Sequence, residues 1–125
     1  MSASPSIDWS ARTCTACEGG VPPQTPDAIA KFCQNHPGWN ADESGRWIRR
    51  KLNMRTFVKA VDMINAVSTL AESEQHHPDL HLTGYRHLTI DLTTHAIGGV
   101  SDNDFILAAK IDQLLDQLES SGASK

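Results

Sequence analysis

Three histidine side chains occupy positions where they could take part in acid–base chemistry. His76 and His77 are adjacent, and His95 follows an alternating, strand-like segment. Because histidine titrates near neutral pH, such a cluster is suited to moving protons. Glu72 lies one helical turn before His76, where its carboxylate can orient that imidazole or stabilise its charge. The sequence therefore predicts one site that contains these four side chains.

The residue pattern is compatible with three interpretations of this cluster. Three imidazoles and an acid would suit zinc, but the HExxH spacing is absent and adjacent histidines seldom chelate one ion. A second interpretation is acid–base chemistry on a bound organic ring. The third is that these histidines have no chemical role, since His36, His81 and His87 are also placed in loops or on a solvated strand face.

The cysteines give a weaker signal. Cys14 and Cys17 form a CxxC motif, which is half of a zinc site or a redox pair. No second CxxC or HxxxH completes a zinc site, and the redox interpretation lacks a thioredoxin-like βαβ context. Two reduced thiols in a loop are therefore favoured. Cys33 makes the number of cysteines odd, and we expect no signal peptide at the N-terminus. We therefore expect no disulfide framework and a cytoplasmic location.

Length and composition exclude several classes of protein. The chain has 125 residues, which indicates one domain. Its net charge is −4 with interspersed signs, which argues against a nucleic-acid binder. No apolar run approaches the length of a membrane span. A domain of this size buries a modest share of its surface, so self-association is expected to supplement its stability.

The proposed site requires a helix that ends at His76 and a strand that ends near His95. Hydrophobic periodicity and turn residues predict helices over residues 26–34 and 56–75 and a third that Ser101 caps. Strands are predicted to begin at residues 38–40 and to cover residues 46–53, 79–82 and 87–93. Asp104 occupies the N3 position of a capping box with Ser101.

This order predicts an α+β domain with a four-stranded antiparallel sheet and amphipathic helices on one face. Two apolar stripes face the sheet, namely Phe57, Val61, Ile64, Val67 and Ala71 on the middle helix and Leu107, Ile111, Leu114 and Leu118 on the last. We assign residues 1–24 to an extended lead-in, 25–120 to the domain and 121–125 to a frayed tail.

A series of residues in fixed order carries a family resemblance: Glu72, His76-His77-Pro78, Tyr85, Thr94-His95, Gly98-Gly99 and Asp104. This series resembles the pterin-4a-carbinolamine dehydratase family, and the likeness extends over about residues 39–118. The lead-in with Cys14 and Cys17 looks like that of the longer bacterial and plastid-type branch.

The resemblance implies a reaction and a set of roles. The family removes water from 4a-hydroxytetrahydropterin and gives quinonoid dihydropterin, without a metal or an organic cofactor. By the same resemblance His76 and His95 would be the acid–base pair, and Glu72 would support the cluster. The residues that would bind the pterin are His77, Pro78 and Thr94.

A second function is implied within the same family. Some dehydratase-like proteins of plastids and of bacteria with carboxysomes resemble assembly factors for RuBisCO. Retention of the three histidines favours the enzyme, whereas the apolar Ala96 and Ile97 after His95 favour the binding role. The implied partners are therefore a pterin, a second copy of the chain in a dimer or tetramer, and in the alternative the RuBisCO large subunit. Neither nucleic acid nor membrane is expected.

Overall fold

The computed structural model describes residues 7–15 and 22–122, without the side chains of residues 120–122. The predicted order of helices and hairpins is confirmed. The helices are α1 Pro26–Asn35, α2 Phe57–Glu74 and α3 Asp102–Gly122, and the strands are β1 Trp39–Ala41, β2 Ile48–Asn53, β3 Asp79–Thr83 and β4 His87–Leu92. Two short 3-10 turns cover Trp9–Ala11 and His95–Ile97.

The four strands form one antiparallel sheet in the order β1-β2-β4-β3. Strand β4, one of the two inner strands, alternates as predicted. Leu88, Ile90 and Leu92 are fully buried, and the residues between them are more exposed. Leu88 lies opposite Leu52 of β2 and Leu82 of β3, which places apolar side chains in one row across the sheet. The predicted α+β class is confirmed. Among the described helices, none is both long enough and apolar enough to cross a membrane.

The buried stripe of α2 differs in part from the predicted one. Val67 and Ala71 are buried as expected, and Val61 and Ile64 are half-buried, but the fully buried residues of the first half of the stripe are Ala60 and Met63. Phe57 is 55% exposed, so its predicted place in the core is wrong. Phe57 is the first residue of the helix, directly after the Thr56 cap. The buried side of the helix begins only at Ala60, three residues later.

Helix α3 also extends past its predicted end. Leu107 and Ile111 are fully buried, whereas Leu114 and Leu118 are half-buried against the core. The helix continues to Gly122, so residues 121 and 122 are helical, and the rest of the predicted tail lies outside the described residues.

Part of the N-terminal lead-in packs against the domain. The Trp9 ring meets the Phe105 ring edge-on, with centroids 5.2 Å apart. Ser10 accepts a hydrogen bond from the Gln113 amide, 2.9 Å away. Residues 7–15 therefore lie on α3, whereas an extended lead-in was predicted. Cys17 and the following glycines lie outside the described residues.

The core on α2 gives a stability prediction. Met63 is fully buried and its neighbour Asp62 is exposed. Replacing a buried methionine by alanine leaves a cavity, so Met63→Ala should lower the free energy of unfolding by about 2–5 kcal/mol. Urea denaturation measures this change. Asp62→Ala serves as the control, and an equal loss in both variants would contradict the burial of Met63.

Candidate active site

The end of α2 turns the chain so that His76 leaves the helix. Gln75 adopts a left-handed conformation, with φ 57° and ψ 36°. The Gln75 N–H donates to the Glu72 carbonyl at 3.3 Å, and the His76 N–H donates to the Ala71 carbonyl at 3.2 Å. This pair of bonds is a Schellman motif, which commonly ends a helix, although glycine is the usual left-handed residue. The backbone at His76 is therefore fixed by local hydrogen bonds.

The His76 ring is held by a buried carboxylate of α3. His76 Nε2 lies 2.6 Å from Asp104 Oδ1, and the Asp104 side chain is fully buried. An ionised carboxylate only accepts hydrogen bonds, so Nε2 carries the hydrogen in this pair. The interaction fixes both the tautomer and the orientation of the imidazole, and it leaves Nδ1 as the ring atom that can exchange a proton.

The other carboxylate oxygen of Asp104 accepts two further hydrogen bonds. The Thr94 hydroxyl donates to Oδ2 at 2.7 Å, and the Ser101 backbone N–H donates to it at 2.8 Å. The predicted capping box is thus present, since the Ser101 hydroxyl in turn accepts from the Asn103 N–H at 3.2 Å. One carboxylate therefore joins the end of α2, the end of β4 and the start of α3.

From the sequence, Asp104 is identifiable only as a helix cap and as one residue of the family series. Its pairing with His76 was missed because the two residues are 28 positions apart. A signal was available, since an acid at N3 is commonly solvated, whereas this one precedes an apolar run that buries the first turn of α3.

His95 lies on a short loop whose two ends are hydrogen-bonded to each other. Thr94 and Gly99 form an isolated bridge, in which the Thr94 N–H donates to the Gly99 carbonyl at 2.8 Å. Gly98 has φ 67°, a left-handed conformation that closes the loop. Thr94 is 4% exposed and its hydroxyl donates to Asp104, whereas the His95 side chain is exposed. Thr94 therefore supports the site from inside, and His95 is accessible to a ligand.

The structure changes the expected partner of Glu72. The spacing of four residues predicted a pair with His76, but Glu72 Oε2 lies 2.5 Å from His77 Nε2. The turn at Gln75 directs His76 toward α3 and leaves His77 beside the last turn of α2. The side chains of His77 and Glu72 are 58% and 71% exposed, so the pair contributes little to stability.

The site therefore consists of a buried cluster and accessible neighbours. His76, Thr94 and Asp104 form the cluster, and each of the accessible histidines is next in sequence to one of its members. Pro78 is half-buried just before β3. Across residues 7–15 and 22–122, no three His, Cys, Asp or Glu side chains are grouped so that they could hold a metal ion.

The buried carboxylate gives a second prediction. Asp104→Asn places an amide N–H₂ group among three donors, so at least one of them loses its acceptor. The free energy of unfolding should fall by about 1–3 kcal/mol, as measured by urea denaturation. Asp102→Asn removes the same charge from the same helix turn at an exposed position and should have a smaller effect. Equal effects would mean that charge near the helix start, and not hydrogen bonding, explains the loss.

Comparison with known proteins identifies relatives of this chain. A model of the family described as Pterin 4 alpha carbinolamine dehydratase matches residues 22–114. A candidate pterin-4-alpha-carbinolamine dehydratase of Halorhodospira halophila is 41% identical over 82% of this chain and 94% of its own length. The mitochondrial pterin-4-alpha-carbinolamine dehydratase 2 of Arabidopsis thaliana is 39% identical over 86% of this chain and 59% of its own length.

A solved structure shares the fold. The crystal structure of a transcriptional coactivator/pterin dehydratase from Brucella melitensis superposes with a TM-score of 0.68, at 23% identity. The match covers 74% of this chain and 97% of that one. With the family match over most of the sequence, the residue series and the shared fold lead to one conclusion: the chain belongs to the pterin 4 alpha carbinolamine dehydratase family.

Proposed function

We propose that this protein dehydrates 4a-hydroxytetrahydropterin to quinonoid dihydropterin by histidine acid–base catalysis. The observation that carries the proposal is the hydrogen bond of 2.6 Å between His76 and the buried Asp104, beside a loop that exposes His95. One imidazole is fixed in orientation by Asp104, and the other is accessible and follows Thr94, whose hydroxyl bonds to the same carboxylate.

The reaction needs one proton delivered and one removed. The bond between C4a and its hydroxyl oxygen breaks, and the hydroxyl leaves as water once it has received a proton. A ring nitrogen of the pterin gives up a proton, so the product is neutral and no oxidant or reductant takes part. Two histidines that exchange protons with the substrate satisfy this balance, because imidazole donates and accepts protons near neutral pH.

His76 and His95 act as this pair. Asp104 holds His76 through Nε2 and stabilises the imidazolium that forms when Nδ1 takes up a proton, as a carboxylate does for histidine in other acid–base sites. Asp104 is therefore a positioning residue. The side chain of His76 is 11% exposed, so only a small part of it is accessible to a ligand.

The neighbouring residues have two roles: His77 binds the pterin, whereas Pro78 and the buried Thr94, which were also expected to bind it, hold the site in shape. His77 is oriented by Glu72 and offers its ring at the exposed end of α2. Pro78 fixes the chain where it leaves that turn, and Thr94 keeps Asp104 in place. Glu72 thus acts on the binding histidine, which differs from the role that sequence analysis gave it.

Replacement of His95 tests the catalytic assignment. His95→Ala should lower kcat/KM for dehydration of 4a-hydroxytetrahydropterin by about 10²–10⁴-fold, the range that general acid–base catalysis supplies. The rate is followed by the absorbance change on formation of the quinonoid product. His87→Ala, at an exposed histidine of β4 outside the site, is the control and should retain the activity. The proposal is wrong if the unmodified protein does not exceed the uncatalysed rate.

The alternative role is that of a RuBisCO assembly factor. Apart from the apolar Ala96 and Ile97, no observation on the described part of the chain favours it, and the relatives in Halorhodospira halophila and Arabidopsis thaliana carry dehydratase names. The cytoplasmic location stays a prediction, as does the partition of residues 1–24, 25–120 and 121–125.

We also propose that the protein associates with a second copy of itself. Phe57 and Val58 at the start of α2 are 55% and 67% exposed, and Tyr85 in the β3–β4 turn is 56% exposed. The Met54 N–H donates to the Arg86 carbonyl at 2.8 Å, which places the segment before α2 beside that turn. Large apolar side chains exposed in one region favour a protein interface.

A double substitution tests this association. Phe57→Ser combined with Val58→Ser should shift the protein to the mass of a single chain, because both changes remove apolar area from the interface. Light scattering after size-exclusion chromatography measures the mass. Lys59→Ser, at the next exposed position, should leave it unchanged. The surface is not an interface if the double variant keeps the mass of the original oligomer, or if the original protein is a monomer.

A further inference from the structure

Residues 12–15 of the lead-in, here called the strap, lie across the junction between the end of α2 and the start of α3. The strap is hydrogen-bonded to Glu74 in the last turn of α2 and to Asn103 in the first turn of α3. Glu74 is two residues before His76, and Asn103 immediately precedes Asp104. The strap therefore bonds to the two element ends that carry the His76–Asp104 pair.

Both ends of the Asn103 amide are bonded to the strap. The Thr15 N–H donates to Asn103 Oδ1 at 3.0 Å, and Asn103 Nδ2 donates to the Thr15 carbonyl at 2.6 Å. Asn103 is 6% exposed, and the Cys14 thiol lies 3.6 Å from the backbone carbonyl oxygen of Asn103. A buried amide needs partners for both its donor and its acceptor, and here Thr15, 88 positions away, supplies both.

Glu74 makes the equivalent connection on α2. The Cys14 N–H donates to Glu74 Oε1 at 2.8 Å, and Lys110 of α3 donates to Oε2. Burial opposes ionisation of Glu74, but the hydrogen bonds from Lys110 and Cys14 outweigh it, so the pKa of this carboxyl is lowered. Burial, and next the charge of Glu74, raises the pKa of the Cys14 thiol to about 12. Cys14 is therefore a neutral thiol at neutral pH, and it holds the strap through its backbone N–H and its S–H.

We propose that the strap positions the His76–Asp104 pair and that Asn103 is the positioning residue through which it acts. The catalytic consequence rests on the proposed dehydratase function, whereas the structural consequence does not. Because the strap contacts both element ends, it limits how far α3 can shift from the end of α2. A hydrogen bond of 2.6 Å tolerates little such shift, so its geometry depends on this restraint.

Two full-length variants test the restraint from opposite sides. Asn103→Ala removes both amide bonds from α3, and Thr15→Pro removes the donor N–H from the strap while leaving α3 unchanged. Gln113→Ala is the matched control, because it loses only the hydrogen bond to Ser10, away from the junction. Circular dichroism checks that each variant is folded, and Thr15→Pro keeps the test valid if the α3 variant does not fold.

The first readout is the ring nitrogen signal of His76 in the NMR spectrum of ¹⁵N-histidine-labelled protein, identified by its loss in His76→Gln. Both variants should move this signal toward that of a free imidazole, and Gln113→Ala should not. The double variant should shift it no further than either single one, since both break the same contact. An unchanged His76 signal in folded Asn103→Ala and Thr15→Pro overturns the proposal, whatever the activity of the protein.

The second readout is steady-state kinetics. A displaced general acid or base loses rate without losing substrate affinity, so kcat should fall about tenfold while KM stays within about twofold. A rise in KM with kcat unchanged overturns the catalytic part of the proposal. If the original protein has no dehydratase activity, the proposed function fails, and the NMR signal alone decides on the strap.

Discussion

The buried carboxylate of Asp104 is the interaction on which the arrangement of the site depends. It accepts hydrogen bonds from His76, from the Thr94 hydroxyl and from the Ser101 N–H. A carboxylate without exposure costs several kcal/mol unless its oxygens are satisfied. The three donors come from three different segments, so folding can bury this group only when the end of α2, the end of β4 and the start of α3 are brought together.

Backbone turns deliver those donors. The left-handed residue Gln75 ends α2 and reverses the chain, and the bridge between Thr94 and Gly99 closes the loop after β4. A left-handed conformation costs a residue other than glycine about 1–2 kcal/mol, and the two hydrogen bonds of the Schellman motif help to offset it at Gln75. The consequence is functional, because His76 turns inward to the carboxylate while its neighbour His77 remains exposed.

Local rules predicted most of the fold, whereas contacts between distant segments could not be predicted. Thr25, Thr56 and Ser101 cap their helices as expected from sequence, and β4 alternates as expected, because capping and strand periodicity depend on nearby residues. The partner of Glu72 was assigned wrongly, because spacing of four presumes a continuous helix and the turn at Gln75 interrupts it. The pairing of His76 with Asp104 depends on tertiary packing, which no periodicity reveals.

The environments of the histidines, more than their number, determine what each can do. His76 is restrained by a carboxylate that fixes its hydrogen on Nε2, so its basicity is available only at Nδ1. His95 is exposed, whereas His77 is paired at the surface with Glu72. The site lies where the end of α2, the end of β4 and the start of α3 meet. Its geometry therefore depends on other segments that hold these ends in place. The strap contacts this junction at both sides, which gives the lead-in a structural reason to pack on α3.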